Sequence, residues 1–142
     1  MIEQAAVRLL AGREHSRTEL RRKLCTRSYD SEVVDQVLDS LIQQCLLSDE
    51  RFTEQYLSSR RRRGFGPVRI KGELRERGIN DELIRSHLNE QDEDWMEALR
   101  LTHGKKFGVE SPGDIKEKAR RVRFLEYRGF TGEQIRCFFQ NI

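Results

Sequence analysis

Residues 20–38, LRRKLCTRSYDSEVVDQVL, place apolar side chains at Leu20, Leu24, Tyr29, Val34 and Leu38. Fifty positions on, residues 70–88, IKGELRERGINDELIRSHL, put Ile70, Leu74, Ile79, Ile84 and Leu88 in the same five places. Fifty-one positions further, residues 121–139, RVRFLEYRGFTGEQIRCFF, fill the last four with Leu125, Phe130, Ile135 and Phe139. The first place falls on Arg121, and the pattern predicts that neighbouring Val122 takes over there. An apolar frame that recurs while surface residues change marks stacked supersecondary units, each unable to bury its apolar face alone. The spacing is helical throughout, near 3.6, with no strand alternation. The expectation is an all-α chain of three tandem three-helix repeats forming an elongated, curved solenoid.

Working outward, the boundaries fall at residues 1–47, 48–91 and 92–142. The first repeat opens with a helix from Ile2 to Ala11 that stops at Gly12. Ser16 with Glu19 makes a capping box for the second helix, and Asp30 or Ser31 starts the third. In the second repeat Ser48 caps a helix that runs into Arg60–Arg63, and Gly64-Phe65-Gly66-Pro67 breaks the chain. Pro67 suits the first turn of the next helix, Gly78 its left-handed stop, and Asn80 or Asp81 the following cap. In the third, Asp92, Glu93 and Asp94 suit a helix amino terminus and Trp95 and Leu99 lead its apolar face. A loop from Gly104 to Ser111 is expected, then a helix with Pro112 in its first turn, a stop at Gly129, and a last helix capped by Thr131 and Gln134.

Charged and hydrophobic residues each make up 36% of the chain and only two are proline, a composition for a helical globular protein rather than a disordered one. No apolar run approaches the ~20 residues that span a bilayer, and the amino terminus reads as an amphipathic helix, so a cytoplasmic location without membrane attachment is expected. Cys25, Cys45 and Cys137 are widely spaced, without a CxxC pair or a neighbouring histidine. They read as reduced, small apolar residues, not as a disulfide framework or zinc site. His87 aligns with Val37 and Phe138 and reads as a core-edge histidine. Gly64-Phe65-Gly66 is followed by proline and lacks the preceding strand of a dinucleotide loop, and no phosphate cradle or catalytic constellation is present. No enzyme activity, cofactor or metal is expected.

Net charge is +3, and its placement says more than its size. Residues 60–77 hold eight basic residues against Glu73 and Glu76, and residues 116–128 hold six against two. Patches of this kind attract nucleic acid or an acidic protein groove, although a charge run is often only a solvated helix face.

The segment Leu47 to Ile79, LSDERFTEQYLSSRRRRGFGPVRIKGELRERGI, orders an acidic cap, Arg-Phe, a tyrosine, an arginine-rich helix end, Gly-x-Gly-Pro, Arg-Ile, Glu-Leu and a Gly-Ile stop. It resembles the RecX family, the regulators of the RecA recombinase. Glu19-Leu20-Arg21-Arg22-Lys23-Leu24 and Phe124-Leu125-Glu126-Tyr127-Arg128-Gly129-Phe130 resemble that family's first and third repeats. Two departures stand out. The chain starts almost at its first helix, without the amino-terminal extension of some members, and its first repeat is compact between Leu24 and Val33.

The resemblance implies a negative regulator that lies in the groove of the RecA filament on single-stranded DNA and contacts more than one RecA protomer. It would suppress ATPase, strand-exchange and coprotease activities, by blocking filament growth or promoting disassembly, and so act in recombination, repair and the SOS response. A monomer is expected. On that reading Arg60, Arg61, Arg62, Arg63, Arg69, Lys71, Arg75 and Arg77 are the candidates to meet RecA carboxylates or DNA phosphates, Arg offering bidentate geometry. Residues 60–63 span a full helical turn, so they cannot share one face. Arg120, Arg121 and Arg123 form a second tier with Phe65, which is either an apolar anchor or packed beneath its own loop. Weak nonspecific DNA binding is compatible with this reading. The alternatives are a basic helical-repeat DNA-binding module without RecA specificity and a helical scaffold for an acidic protein.

Overall fold

The structure, a computed structural model, describes residues 1–142 and contains nine α-helices and no strand. They are α1 (Ile2–Gly12), α2 (Arg17–Cys25), α3 (Ser31–Gln43), α4 (Asp49–Arg62), α5 (Pro67–Glu76), α6 (Asp81–His87), α7 (Asp94–Phe107), α8 (Ile115–Arg128) and α9 (Gly132–Gln140). No helix is long and apolar enough to cross a membrane. The chain forms two compact units, Met1–Tyr56 with Leu74–His87, and Leu57–Glu73 with Leu88–Ile142, so α4 and α5 contribute residues to both.

In the first unit α1, α2 and α3 close over a core of Ala5, Ala6, Leu20, Leu24, Val34, Leu38, Leu41 and Leu47. Each fully buried leucine contributes about 1.5–3 kcal/mol. The helix starts follow the local chemistry. Ser16 Oγ accepts the Glu19 N–H at 3.0 Å, and Glu19 Oε1 accepts the Ser16 N–H at 3.2 Å, completing the capping box. The same Ser16 hydroxyl donates to the Arg77 carbonyl at 2.7 Å, and Arg22 Nη1 donates to the Glu76 carbonyl at 3.1 Å. These bonds satisfy carbonyls that the end of α5 would otherwise leave without partners. Gly78 turns the chain there at φ +80°, and a Cβ on it would run into Thr18. Asp30 caps α3, Ser48 caps α4 and Asn80 caps α6.

The second unit is built on Trp95, which is fully buried and donates its indole N–H to the Asn89 carbonyl at 2.9 Å. Leu99, Leu125, Phe130, Ile135 and Phe138 are buried in the same unit. Thr131 and Gln134 form the expected capping box, and Gln134 Nε2 also donates to the Glu90 carbonyl at 2.9 Å. The start of α5 meets the end of α8. The Gly66 and Val68 N–H groups donate to the Arg128 and Gly129 carbonyls at 2.7 and 2.9 Å. A helix amino terminus is thereby satisfied by the carboxyl terminus of another, an arrangement the macrodipoles also favour. The approach needs glycine on both sides: a Cβ on Gly66 would meet the Gly129 backbone, and one on Gly129, at φ +99°, would meet Arg69.

Three details depart from the sequence expectation. The first apolar place of the third repeat is not handed to Val122: Arg121 itself occupies it, only 6% exposed, while Val122 is half-buried. α7 does not end before Gly104 but continues to Phe107, because His103 and Phe107 pack their rings 5.2 Å apart along that turn and Phe107 sits edge-on to Phe124 at 5.3 Å. Pro112 lies in the loop ahead of α8, whose first turn is capped instead by Asp114, with its side chain accepting from the Glu117 N–H at 2.7 Å.

Candidate binding surface

The basic residues of 60–77 separate when they are placed on the fold. Arg60, Arg61, Arg62, Arg63, Arg69 and Lys71 belong to the second unit, whereas Arg75 and Arg77 belong to the first. Within the second unit they fall into two groups. Arg60 grips Glu73 through two parallel bonds of 2.9 and 2.8 Å, and Arg69 Nε reaches the same carboxylate at 3.3 Å. Arg69 also donates to the Tyr127 carbonyl at 3.2 Å. Arg61 stacks on Trp95 at 4.1 Å, with its buried Nε lacking a hydrogen-bond partner. Arg62 and Arg63 are exposed, Lys71 is half-buried, and no carboxylate pairs with any of these three. Within residues 60–77 they are the cations with neither a carboxylate nor a ring beside them.

Phe65 lies under three guanidinium groups, those of Arg60 at 3.9 Å, Arg69 at 4.5 Å and Arg128 at 4.8 Å. The stacked guanidinium groups are also tied by their N–H edges, Arg60 and Arg69 to Glu73, Arg69 to the Tyr127 carbonyl and Arg128 to the Arg63 carbonyl at 3.0 Å. In the first unit, Arg75 pairs with Asp81 at 2.8 Å, and Arg77 sits over Tyr56 and 3.7 Å from Glu19.

The second tier divides similarly. Arg120 is exposed and takes both oxygens of Glu117 at 3.0 Å. Arg121 is turned inward: it bonds Glu117 at 3.2 Å, donates to the Glu110 carbonyl at 2.8 Å and approaches His103 Nε2 at 3.4 Å. A side chain so enclosed presents no surface to a partner. Arg123 is exposed and without an ion pair. Hydrogen bonds from Arg120 and Arg121 hold the Glu117 carboxyl down at about 2. Burial, with Arg121 beside it, lowers His103, which is therefore neutral at pH 7. Burial also lowers His15, whose Nε2 accepts from Lys23 at 2.8 Å.

Lys105 and Lys106 share the second unit with the unpaired arginines and escaped the sequence reading. The signal that marks them is the extension of α7 through Gly104, which turns a supposed loop into the basic last turn of a helix. Cys45 and Cys137 are exposed rather than apolar filling, and Cys25 is half-buried. One cluster offers ligand-type atoms: Glu50, Glu54 and His87 lie within 4.8 Å of one another, with His87 half-buried and 3.4 Å from Glu50.

Comparison with known proteins places the whole chain. Family models for the first, second and third three-helix domains of RecX match residues 4–41, 48–88 and 92–139. A protein of Halorhodospira halophila named regulatory protein RecX is 44% identical over 136 residues, 96% of this chain and 84% of that one. A protein of the same name from Pseudomonas savastanoi pv. phaseolicola is 43% identical over 134 residues, covering 94% and 86%. The crystal structure of RecX from Lactobacillus salivarius superposes with a TM-score of 0.78 at 19% identity, over 99% of this chain and 93% of that chain. A crystal structure described as regulatory protein RecX gives 0.76 at 17% identity, over 96% and 72%. The three matched domains, and relatives this similar over nearly their full length, show that the chain belongs to the RecX family of regulatory proteins.

Proposed function

We propose that this protein is a negative regulator of RecA that binds in the groove of the RecA filament on single-stranded DNA and suppresses its ATPase, strand-exchange and coprotease activities. The observation that carries the reading is the trio Arg62, Arg63 and Lys71, charged, accessible and without carboxylate partners, within a RecX-type second domain. A filament groove lined with carboxylates and phosphates offers each a partner. Arg75, already paired with Asp81 on an exposed surface, exchanges one weak ion pair for another and adds little. The role places the protein in the cytoplasm, in recombination, repair and the SOS response, acting as a monomer by blocking filament growth or promoting disassembly.

The competing reading is a basic DNA-binding module without RecA specificity. Single-strand binders present aromatic faces on which bases stack. Here Phe65 is covered by guanidinium groups, Trp95 is fully buried and the exposed Tyr127 carries Arg69 over its ring, which disfavours it. The test is the single-stranded-DNA-dependent ATPase of RecA, titrated with this protein at fixed salt. Inhibition is expected below one molecule per RecA protomer. The double variant Arg62→Glu and Arg63→Glu should weaken it by tenfold or more. No effect up to excess protein, on filaments seen by microscopy, sinks the proposal. Inhibition and DNA binding lost together in the double variant would favour the module.

A further inference from the structure

A groove of about 480 Å³ opens within the second unit between the end of α4 and one face of α7. Its floor is Ala98, Leu101 and Phe124, and its polar rims are unequal. Arg62 and Arg63 stand on one side, and Lys105 and Lys106 at the far end of the α7 face. None of these four is paired with a carboxylate. Arg61 and Arg128 also line it, Arg128 stacked between Phe65 and Phe124 at 4.8 and 5.1 Å. Leu101 is 50% exposed in the floor, an apolar side chain on an otherwise charged surface.

We infer that this groove is a docking site for a short acidic peptide segment carrying one bulky apolar side chain. The apolar side chain rests on Leu101 and Ala98, and the flanking carboxylates meet Arg62, Arg63, Lys105 and Lys106. Two observations select a peptide over a nucleic acid strand. Asp94, without an ion-pair partner, lines the amino-terminal end of the same α7 face and repels a continuous run of phosphates, while Glu97 beside it is held by Arg100. The Phe124 ring offers no free face for a base, since Arg128 and Lys106 lie over it and Phe107 meets it edge-on. A peptide can stop its acidic run before reaching Asp94, which a phosphate backbone cannot. The inference does not depend on RecA being the partner.

The test uses the full chain and a short fluorescein-labelled peptide of Asp and Glu residues with one central Phe, read by anisotropy. Two controls are the same peptide with Ala for Phe and an oligothymidylate of equal charge. Saturable binding of the Phe peptide is expected, with about tenfold loss for the Ala peptide. Leu101→Glu, and separately Lys105→Glu with Lys106→Glu, should each weaken binding tenfold or more. All three positions are exposed, so the folds should survive, as circular dichroism would check. Equal binding of the Phe and Ala peptides, or insensitivity to both variants, overturns the inference. So does oligothymidylate competing as well as the Phe peptide, which would make the groove a phosphate site. RecA inhibition, measured separately, keeps a failure here distinct from failure of the regulator reading.

Discussion

The two compact units differ in how far they lean on aromatic rings to hold arginine. In the first, arginines lie on carboxylates: Arg21 and Arg17 on Asp35, Arg13 and Arg77 on Glu19, Arg51 on Glu14, Arg75 on Asp81. Eleven Lys and Arg stand there against thirteen Asp and Glu, a net −2. In the second, Arg61 lies on Trp95 and Arg128 on Phe65 and Phe124 with no carboxylate partner, while Arg60 and Arg69, and Arg120 and Arg121, add a ring to the carboxylates of Glu73 and Glu117. Sixteen cations stand there against eleven anions, a net +5. A carboxylate cancels the charge it holds, whereas a ring orders a guanidinium and leaves its charge in place. The second unit can therefore be rigid and strongly positive at once, which is what a surface for acidic partners requires.

The largest break in this comparison is Trp95→Ala. Removing a fully buried indole, with an arginine stacked on it, should cost about 3–5 kcal/mol in chemical denaturation. Hydrogen exchange should show α7 and α8 loosened while α2 and α3 keep their protection. Equal loss in both units would mean that the chain has one cooperative core.

Gly129→Ala should cost about 1–3 kcal/mol, since the new methyl combines a positive φ with an encounter with Arg69. Thermal melting should fall by several degrees. A melting point unchanged from the parent would show that the α8–α5 junction is looser than its hydrogen bonds indicate.

The smallest effect sharpens the contrast through pH. Arg21 lowers Asp35 through a hydrogen bond, and in the second unit Glu117 is lowered from 4.5 to about 2. A carboxyl depressed on folding contributes stability that is complete above its unfolded value and vanishes as pH falls through its folded one. Glu117 should thus add stability above about pH 4.5 and lose it between 4.5 and 2. Glu117→Gln should flatten the stability profile over that window, lowering stability at pH 7 and converging with the parent as pH falls to about 2. A slope identical in both proteins would contradict the Arg120–Glu117–Arg121 pairing.

Much of this was written locally in the chain. A helix is stabilised by residues three and four apart, and its caps by residues two or three away. Ser16 with Glu19, Thr131 with Gln134, Gly78 and Gly129 could therefore be read directly, as could the five-place apolar frame and the family resemblance. The fate of each arginine could not. Whether Arg61 lies on Trp95, Arg128 on Phe65, or Arg121 inside the third repeat depends on residues far apart in sequence, brought together only by packing. A guanidinium on a long flexible stem accepts a carboxylate, a carbonyl or a ring with similar ease. Composition identified the basic stretch, but only the tertiary structure decided which of its charges are spent internally and which, with Lys105 and Lys106, remain for a partner.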